Sequence, residues 1–310
     1  MIASNMGPAV EVHHLRKSWK SFWAPAHEAL RDLSLTIPRG VAFGLIGPNG
    51  AGKTTFIKVL LGVARAAQGS VRVLGGDPED TAIRQRIGYL PERLHLPAAL
   101  SGRNVLRSMA TLKRLSPSDA ELRALLERVG LEDSSQRVGA FSKGMRQRLG
   151  LATAMLGTPE LLILDEPTDG IDPIGRVEVR ELLLAEKRRG ATILLNSHLL
   201  SETERVCDRI GILDRGQLRL EASIDEVRAA STHWFLRVGE HPEAGALLPS
   251  LGCVPEGTGW RFLGRDSGAL NAMLDALRAK GLELIELAPA TRDLEAVLSQ
   301  TLAEDTGARP

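Results

Sequence analysis

The run Gly47-Pro48-Asn49-Gly50-Ala51-Gly52-Lys53-Thr54-Thr55 carries the strongest chemical signal in the chain. It fits the phosphate-binding pattern Gly-x-x-x-x-Gly-Lys-Ser/Thr. The apolar run Val41-Ala42-Phe43-Gly44-Leu45-Ile46 before it reads as a buried parallel strand. The stretch Thr55-Phe56-Ile57-Lys58-Val59-Leu60-Leu61 after it reads as a helix, with Gly62 as its stop. Strand, glycine-rich turn and helix together aim several backbone N–H groups and the positive end of a helix at one anion. Gly50 and Gly52 let the backbone close on phosphate oxygens without a Cβ in the way. Lys53 can then reach the β- and γ-phosphates, and the Thr54 hydroxyl can ligate magnesium. The chemistry these residues predict is binding of a nucleoside triphosphate.

A second signal is Leu161-Leu162-Ile163-Leu164-Asp165-Glu166, an unbroken apolar run ending in two carboxylates. Placed as the strand beside the phosphate-loop strand, it would deliver both acids to the carboxyl edge of a sheet, where such folds bind ligands. Asp165 is then positioned to hold magnesium, and Glu166 to polarise or deprotonate an attacking water. A third run, Ala191-Thr192-Ile193-Leu194-Leu195-Asn196, reads as another buried strand and ends at Ser197-His198. A histidine at that edge can hydrogen-bond the γ-phosphate or orient the water.

Just ahead of the Asp165 strand, Phe141-Ser142-Lys143-Gly144-Met145-Arg146-Gln147-Arg148 opens a helix that runs through Leu156, with Ser142 as N-cap. In order, the chain shows a phosphate loop, a Ser-x-Gly helix start, a Leu-Asp-Glu strand, Gly170-Ile171-Asp172 and a strand-end His198. This order resembles the ATP-binding cassette of ABC transporters, with motifs spanning roughly residues 10 to 225. The resemblance implies that Gly47 through Thr55 form the Walker A loop. It makes Asp165 the Walker B acid, Glu166 the catalytic glutamate and His198 the switch histidine. Asp169, Gly170, Ile171 and Asp172 then occupy the D-loop that crosses the dimer interface. Phe141 through Met145 take the signature position, which in this family contacts the γ-phosphate bound by the partner. A capped helix start suits that role independently, because it offers N–H groups and a positive dipole end to an anion. Trp19, after Leu15-Arg16-Lys17-Ser18, stands where the family carries an aromatic that stacks on adenine. Phe22 and Trp23 are rivals for that stack.

Three features depart from the family pattern. In the signature, Lys143 and Met145 replace a glycine and a glutamine, while Ser142 and Gly144 are kept. Lys143 adds a cation near the γ-phosphate or at the interface rim, and Met145 removes an amide that could contact ribose. Glu92, in Ile87-Gly88-Tyr89-Leu90-Pro91-Glu92, stands where a glutamine usually couples the metal to the membrane subunit. A carboxylate there can still approach magnesium. Asp169 is acidic where small or amide residues are common. The first two changes are familiar in the bacterial branch that pairs with a separate polytopic subunit in export. Lys53, Asp165, Glu166 and His198 are all present, which is not the pattern of a degenerate site.

These motifs need a frame. Residues 10 to about 45 and 69 to 75 alternate enough to form an antiparallel sheet, and 68 to 76 reads as a hairpin piece bounded by turns. From about 93 to 158 the pattern is helical, including Asp119 to Val129 with Gly130 at its end. Arg209 to Leu220 reads as a closing hairpin around Arg215-Gly216. Beyond a cassette at 8–230, the strands 234–238, 260–263 and 282–287 and the helices 268–280 and 293–301 suggest a small accessory domain at 231–303, with a tail at 304–310. The expected class is α/β: a P-loop NTPase of ABC ATPase type with a mixed sheet core, an antiparallel β subdomain and a helical subdomain, plus a small C-terminal α/β domain. The accessory domain carries no cluster of His, Cys or acids and reads as dimer-stabilising or regulatory.

Composition bounds the partners. The chain has 310 residues, with 39 Lys plus Arg against 38 Asp plus Glu, so nothing in its charge argues for a nucleic-acid or membrane-surface partner. Cys207 and Cys253 lack metal-ligand spacing and fit a reducing compartment. No signal-peptide pattern opens the sequence, and the greasiest region, 149 to 164, is interrupted at Thr158-Pro159-Glu160. The expectation is an ATPase using ATP and Mg2+, with Thr54, Asp165 and Glu92 at the metal. It dimerises with a second cassette, as homodimer or heterodimer, and works on polytopic membrane permease subunits at the cytoplasmic face of the inner or plasma membrane. Export is the favoured direction. Two rivals are a soluble cassette ATPase acting on ribosomes or nucleic acid, and a regulatory or scaffold module that uses ATP only to dimerise. The single phosphate loop and the missing basic stripe argue against the first, and Glu166 with His198 against the second.

Overall fold

The computed structural model describes residues 7–19, 26–229, 233–264, 266–290 and 294–304. Two compact units divide the chain, one up to Ser223 that also takes in the chain from Thr301, and one over Ile224–Gln300. The first begins with β1 (Val10–Trp19), β2 (His27–Ile37), β3 (Ala42–Ile46), α1 (Lys53–Leu60) and β4 (Gln68–Val73). Next come α2 (Thr81–Gln85), β5 (Ile87–Leu90), α3 (Gly102–Leu112), α4 (Asp119–Arg128) and α5 (Lys143–Met155). It closes with β6 (Leu161–Asp165), α6 (Pro173–Arg188), β7 (Thr192–Asn196), α7 (Leu200–Val206), β8 (Arg209–Asp214) and β9 (Gln217–Ser223).

Strands β2, β1 and β4 form an antiparallel sheet in that order. It ends with Ile37 rather than near residue 45, because Ala42–Ile46 is buried along its whole length and joins the central sheet. That sheet has the order β5-β6-β7-β3-β8-β9, parallel except for the β8–β9 pair. Apolar residues on its strands alternate between faces, as the pleat requires. Leu162, Leu164, Ile193 and Leu195 belong to one core together with residues of α3 to α6. Leu161, Ile163, Leu194, Phe43 and Leu45 face the other, shared with α1 and the antiparallel sheet.

This order corrects one expectation. The Asp165 strand does not lie beside the phosphate-loop strand; β7 intervenes, pairing with β6 on one side and β3 on the other. All three strands are equally buried apolar runs, so composition does not encode their order. The sixteen-residue α6 makes the crossover from β6 to β7. The carboxyl edge still collects the chemistry, with Asp165 in register with Asn196, and Asn196 with Leu45.

The helical region is punctuated by serines. Ser101, Ser118 and Ser142 cap α3, α4 and α5, each accepting a backbone N–H of the first turn, and Ser118 completes a capping box with Glu121. The closing hairpin β8–β9 turns through Arg215 and Gly216, both at positive φ, the conformation a two-residue turn requires.

In the second unit, α8 (Ile224–Ala229) precedes β10 (His233–Val238), α9 (Ala244–Ser250), β11 (Cys253–Glu256), β12 (Gly259–Phe262), α10 (Ser267–Ala279), β13 (Leu284–Ala290) and α11 (Leu294–Glu304). Its sheet order, β11-β12-β10-β13, all antiparallel, with helices between β10 and β11 and between β12 and β13, is a split βαβ arrangement. Leu236, Leu248, Phe262, Leu270, Met273 and Leu277 form its core. Sequence reading missed α9, which contains Pro249, and β11, an edge strand containing Pro255. Both cysteines are free and buried, and burial pushes their thiols up. Among the described residues, no helix is long and apolar enough to cross a membrane.

Candidate functional site

The loop between β3 and α1 is built by close approach. A Cβ on Gly47 would lie 2.0 Å from the Leu213 carbonyl oxygen, and one on Gly52, at φ 109, would lie 2.5 Å from that of Ala29. No other residue fits either place. Gly52 is also the N-cap of α1 and supplies no capping side chain, so the first-turn N–H groups point out of the helix unclaimed by a cap. Lys53 Nζ donates to the carbonyls of Gly47 at 2.6 Å and Pro48 at 3.0 Å. Burial lowers the Lys53 pKa, while the charges of Glu166, Asp165 and Glu92 oppose that shift.

Around the loop lies a cavity of about 680 Å3, lined by Trp19, most of the loop from Gly47 to Thr55, Glu92, Asp165, Glu166, Asp169, Asn196, Ser197 and His198. Asp165, at the end of β6, is 2% exposed, and Asn196 Nδ2 donates to its Oδ1 at 2.5 Å. Burial pushes the Asp165 carboxyl up from its ordinary value; the Asn196 hydrogen bond opposes this, and the charges of Glu92 and Glu166 add to it. The next residue, Glu166, sits at φ 52, a left-handed conformation costly for a residue with a Cβ. Its carboxylate is held from β7's end: Oε1 accepts from the His198 backbone N–H at 2.9 Å, and Oε2 accepts from Ser197 Oγ at 3.3 Å. His198 Nδ1 lies 2.8 Å from the same Oε2.

The cavity thus unites Lys53, Thr54, Glu92, Asp165, Glu166, Asp169 and His198, drawn from four separated segments. Asn196 and Ser197 are members that sequence reading missed; their adjacency to His198 at a strand end was the available signal. Trp19 stands at the cavity wall, 40% exposed, with Nε1 donating to Thr55 Oγ1 at 3.1 Å. The ammonium groups of Lys17 and Lys58 lie 4.7 and 5.7 Å from its ring. Phe22 and Trp23 fall outside the described residues.

Ser142, Lys143, Gly144 and Met145 are not among the residues lining this cavity. Ser142 caps α5 through the Met145 N–H, and Met145 packs against the helical core. Lys143, expected near phosphate or at the interface rim, donates to Asp169 Oδ1 at 2.8 Å, so two of the departures from the family pattern pair with each other. The rest of the loop is anchored within its own chain. Gly170 adopts φ 72, Ile171 is buried in the helical core, and Asp172 caps α6 by accepting from the Gly175 N–H at 2.6 Å.

A divalent cation fits this set. Among the described residues, no group of three His, Cys, Asp or Glu side chains is arranged to hold a metal alone. The Thr54 hydroxyl and the carboxylates of Asp165 and Glu92 offer hard oxygens in one cavity, a partial set of the kind phosphate-bound magnesium completes. Burial is the main cause of the rise of Asp165, and the repulsion from Glu92 and Glu166 that adds to it is what a cation would relieve.

A parallel-sheet phosphate loop with an acid at the end of another strand of the same sheet and a positioned glutamate defines a P-loop nucleoside triphosphatase. Residues 30–169 match the family model described as ABC transporter. An uncharacterized ABC transporter ATP-binding protein of Synechocystis is 38% identical over 95% of this chain and 85% of its own length. The daunorubicin resistance ATP-binding protein DrrA3 of Streptomyces coeruleorubidus is 37% identical over 90% of this chain and 92% of its own. A solved ATP-binding subunit of an ABC transporter superposes with a TM-score of 0.65, at 33% identity, covering 72% of this chain and 92% of that one. The chain belongs to the ABC transporter ATP-binding family, and is an ATP-binding, ATP-hydrolysing cassette. Members of this family dimerise and pair with membrane permeases.

Proposed function

We propose that two such cassettes close around two ATP molecules and drive efflux through separate membrane subunits. The observation that carries the catalytic part is Glu166, whose carboxylate is fixed by Ser197 and His198 in the cavity that holds Lys53, Thr54 and Asp165. In this reading the N–H groups from Gly47 to Thr55 and the Lys53 ammonium bind the β- and γ-phosphates. Glu166 orients the water and takes its proton. His198 steadies Glu166 through Nδ1 and leaves its other ring nitrogen for the γ-phosphate. Thr54, Asp165 and Glu92 would hold magnesium, whose charge would offset that developing on the phosphate oxygens. Trp19 stacks on adenine.

The dimer is supported by the separation of the signature residues from their own chain's cavity. Their N–H groups at the start of α5 are suited to an anion supplied by a second chain. Ile174 and Val177, on α6 directly after the D-loop, are 76% and 44% exposed, apolar positions suited to burial in such an interface. The efflux direction is supported by the resistance relative and by Lys143 and Glu92. The chain then lies peripherally, on the cytoplasmic face of the membrane. Tagged Glu166→Gln chain, recovered from detergent-solubilised membranes with ATP, is expected to carry a polytopic membrane protein at one-to-one stoichiometry by mass spectrometry. Recovery with ribosomal or DNA-associated proteins instead would move the function away from transport.

A further inference from the structure

We propose that Gln147, on α5, is a positioning residue for hydrolysis that holds the backbone from which Glu166 enters the cavity. The inference rests on the reading of Glu166 as the group that faces the water. Gln147 Nε2 donates to the Glu166 carbonyl at 2.8 Å, and the same oxygen accepts the Asp169 N–H at 3.1 Å. The Glu166 N–H is taken by the Asn196 carbonyl at 2.8 Å. Both sides of this residue are therefore pinned, and it adopts φ 52, a conformation that a non-glycine residue keeps only when its surroundings dictate it.

Gln147 is 6% exposed and lies on the helix stripe of Gly150, Leu151 and Ala154, all buried. Packing alone would favour an apolar side chain there, whereas an amide is tolerated only with its donors used. A second contact reinforces the hold. The Lys143 stem crosses Gly170, where an added Cβ would meet it at 2.4 Å, and its ammonium reaches Asp169. Gly144 is packed so closely that its Cβ would lie 3.2 Å from the Gly170 carbonyl oxygen. The start of α5 thus grips the loop from Glu166 to Gly170 at two points. A displacement of α5, the element placed to meet the partner's nucleotide, is carried to the Glu166 of the same chain through contiguous contacts.

Gln147→Met removes the donor at similar length, and Gln147→Glu keeps the shape but sets an acceptor against the carbonyl. Full-length forms of both, beside Glu166→Gln, are measured for ATP affinity, KM and kcat. Both Gln147 variants are expected to bind ATP as the unaltered chain does and to lose kcat by roughly ten- to a hundredfold, the scale of a small misplacement of a reacting group. Protonation lets the Gln147→Glu carboxyl donate, so its kcat relative to the unaltered chain rises as pH falls. A merely structural role would not produce that profile. Undiminished kcat in Gln147→Met overturns the inference, as does a pH-independent ratio for Gln147→Glu. If Gln147→Met does not fold, Gln147→Glu alone decides by the same ratio. Retained hydrolysis in Glu166→Gln is a different failure, that of the Glu166 reading itself.

Discussion

Glu166→Gln is expected to reduce ATP hydrolysis by roughly 10²- to 10⁴-fold, the contribution typical of a positioned general base, while leaving ATP binding intact. The amide keeps the size of the carboxylate and can still meet Ser197 and His198, so the cavity retains its shape. What it loses is a site for the water's proton. The phosphate contacts come from the β3–α1 loop and Lys53, which the substitution does not touch. Phosphate release by the purified chain measures the first effect, and equilibrium nucleotide binding the second. Equal losses in both would mean that Glu166 serves binding rather than hydrolysis.

Lys53→Met acts on the other term. The ammonium is partly buried and donates to two loop carbonyls, Gly47 at 2.6 Å and Pro48 at 3.0 Å. In the proposed complex it neutralises β- and γ-phosphate charge. Removing one partner of a desolvated charge pair costs ~2–5 kcal/mol, a loss of affinity of at least about thirtyfold. Titration calorimetry with ATP, and with ADP as a control for the γ-phosphate contribution, measures it. Met retains most of the stem's apolar volume, so thermal stability without nucleotide should change little by comparison. Unaltered ATP affinity would remove the phosphate-loop argument.

The chemistry at this site was legible in the sequence where function demands a residue type at a fixed spacing. Gly47, Gly52, Lys53 and Thr54 can be read because a Cβ or a different side chain would not fit or would not bind phosphate. Asp165, Glu166 and His198 can be read because each ends an apolar strand. Strand order was not legible, since β3, β6 and β7 share one character and differ only in which neighbours they find. Asn196, Ser197 and Gln147 escaped for a related reason. Each is an ordinary polar residue until the fold brings it within hydrogen-bond distance of Asp165 or Glu166. Gln147 left a trace, an amide inside an otherwise apolar helix stripe. Lys143 was legible as a departure, but its partner Asp169 lies 26 residues away and only the loop's return to α5 joins them. In the second unit, prolines obscured α9 and β11, which fail the usual periodicity tests although both build the sheet-and-helix layer.

In the proposed dimer each site is finished by a second chain, with the α5 start of one cassette meeting the nucleotide held by the other. Light scattering of Glu166→Gln at saturating ATP and magnesium, with bound nucleotide counted on the same sample, tests this most directly. The expected result is a particle with the mass of two chains, holding two nucleotides, that disperses when ATP is replaced by ADP. A particle that remains at the 33.5 kDa of one chain with ATP fully bound would contradict it.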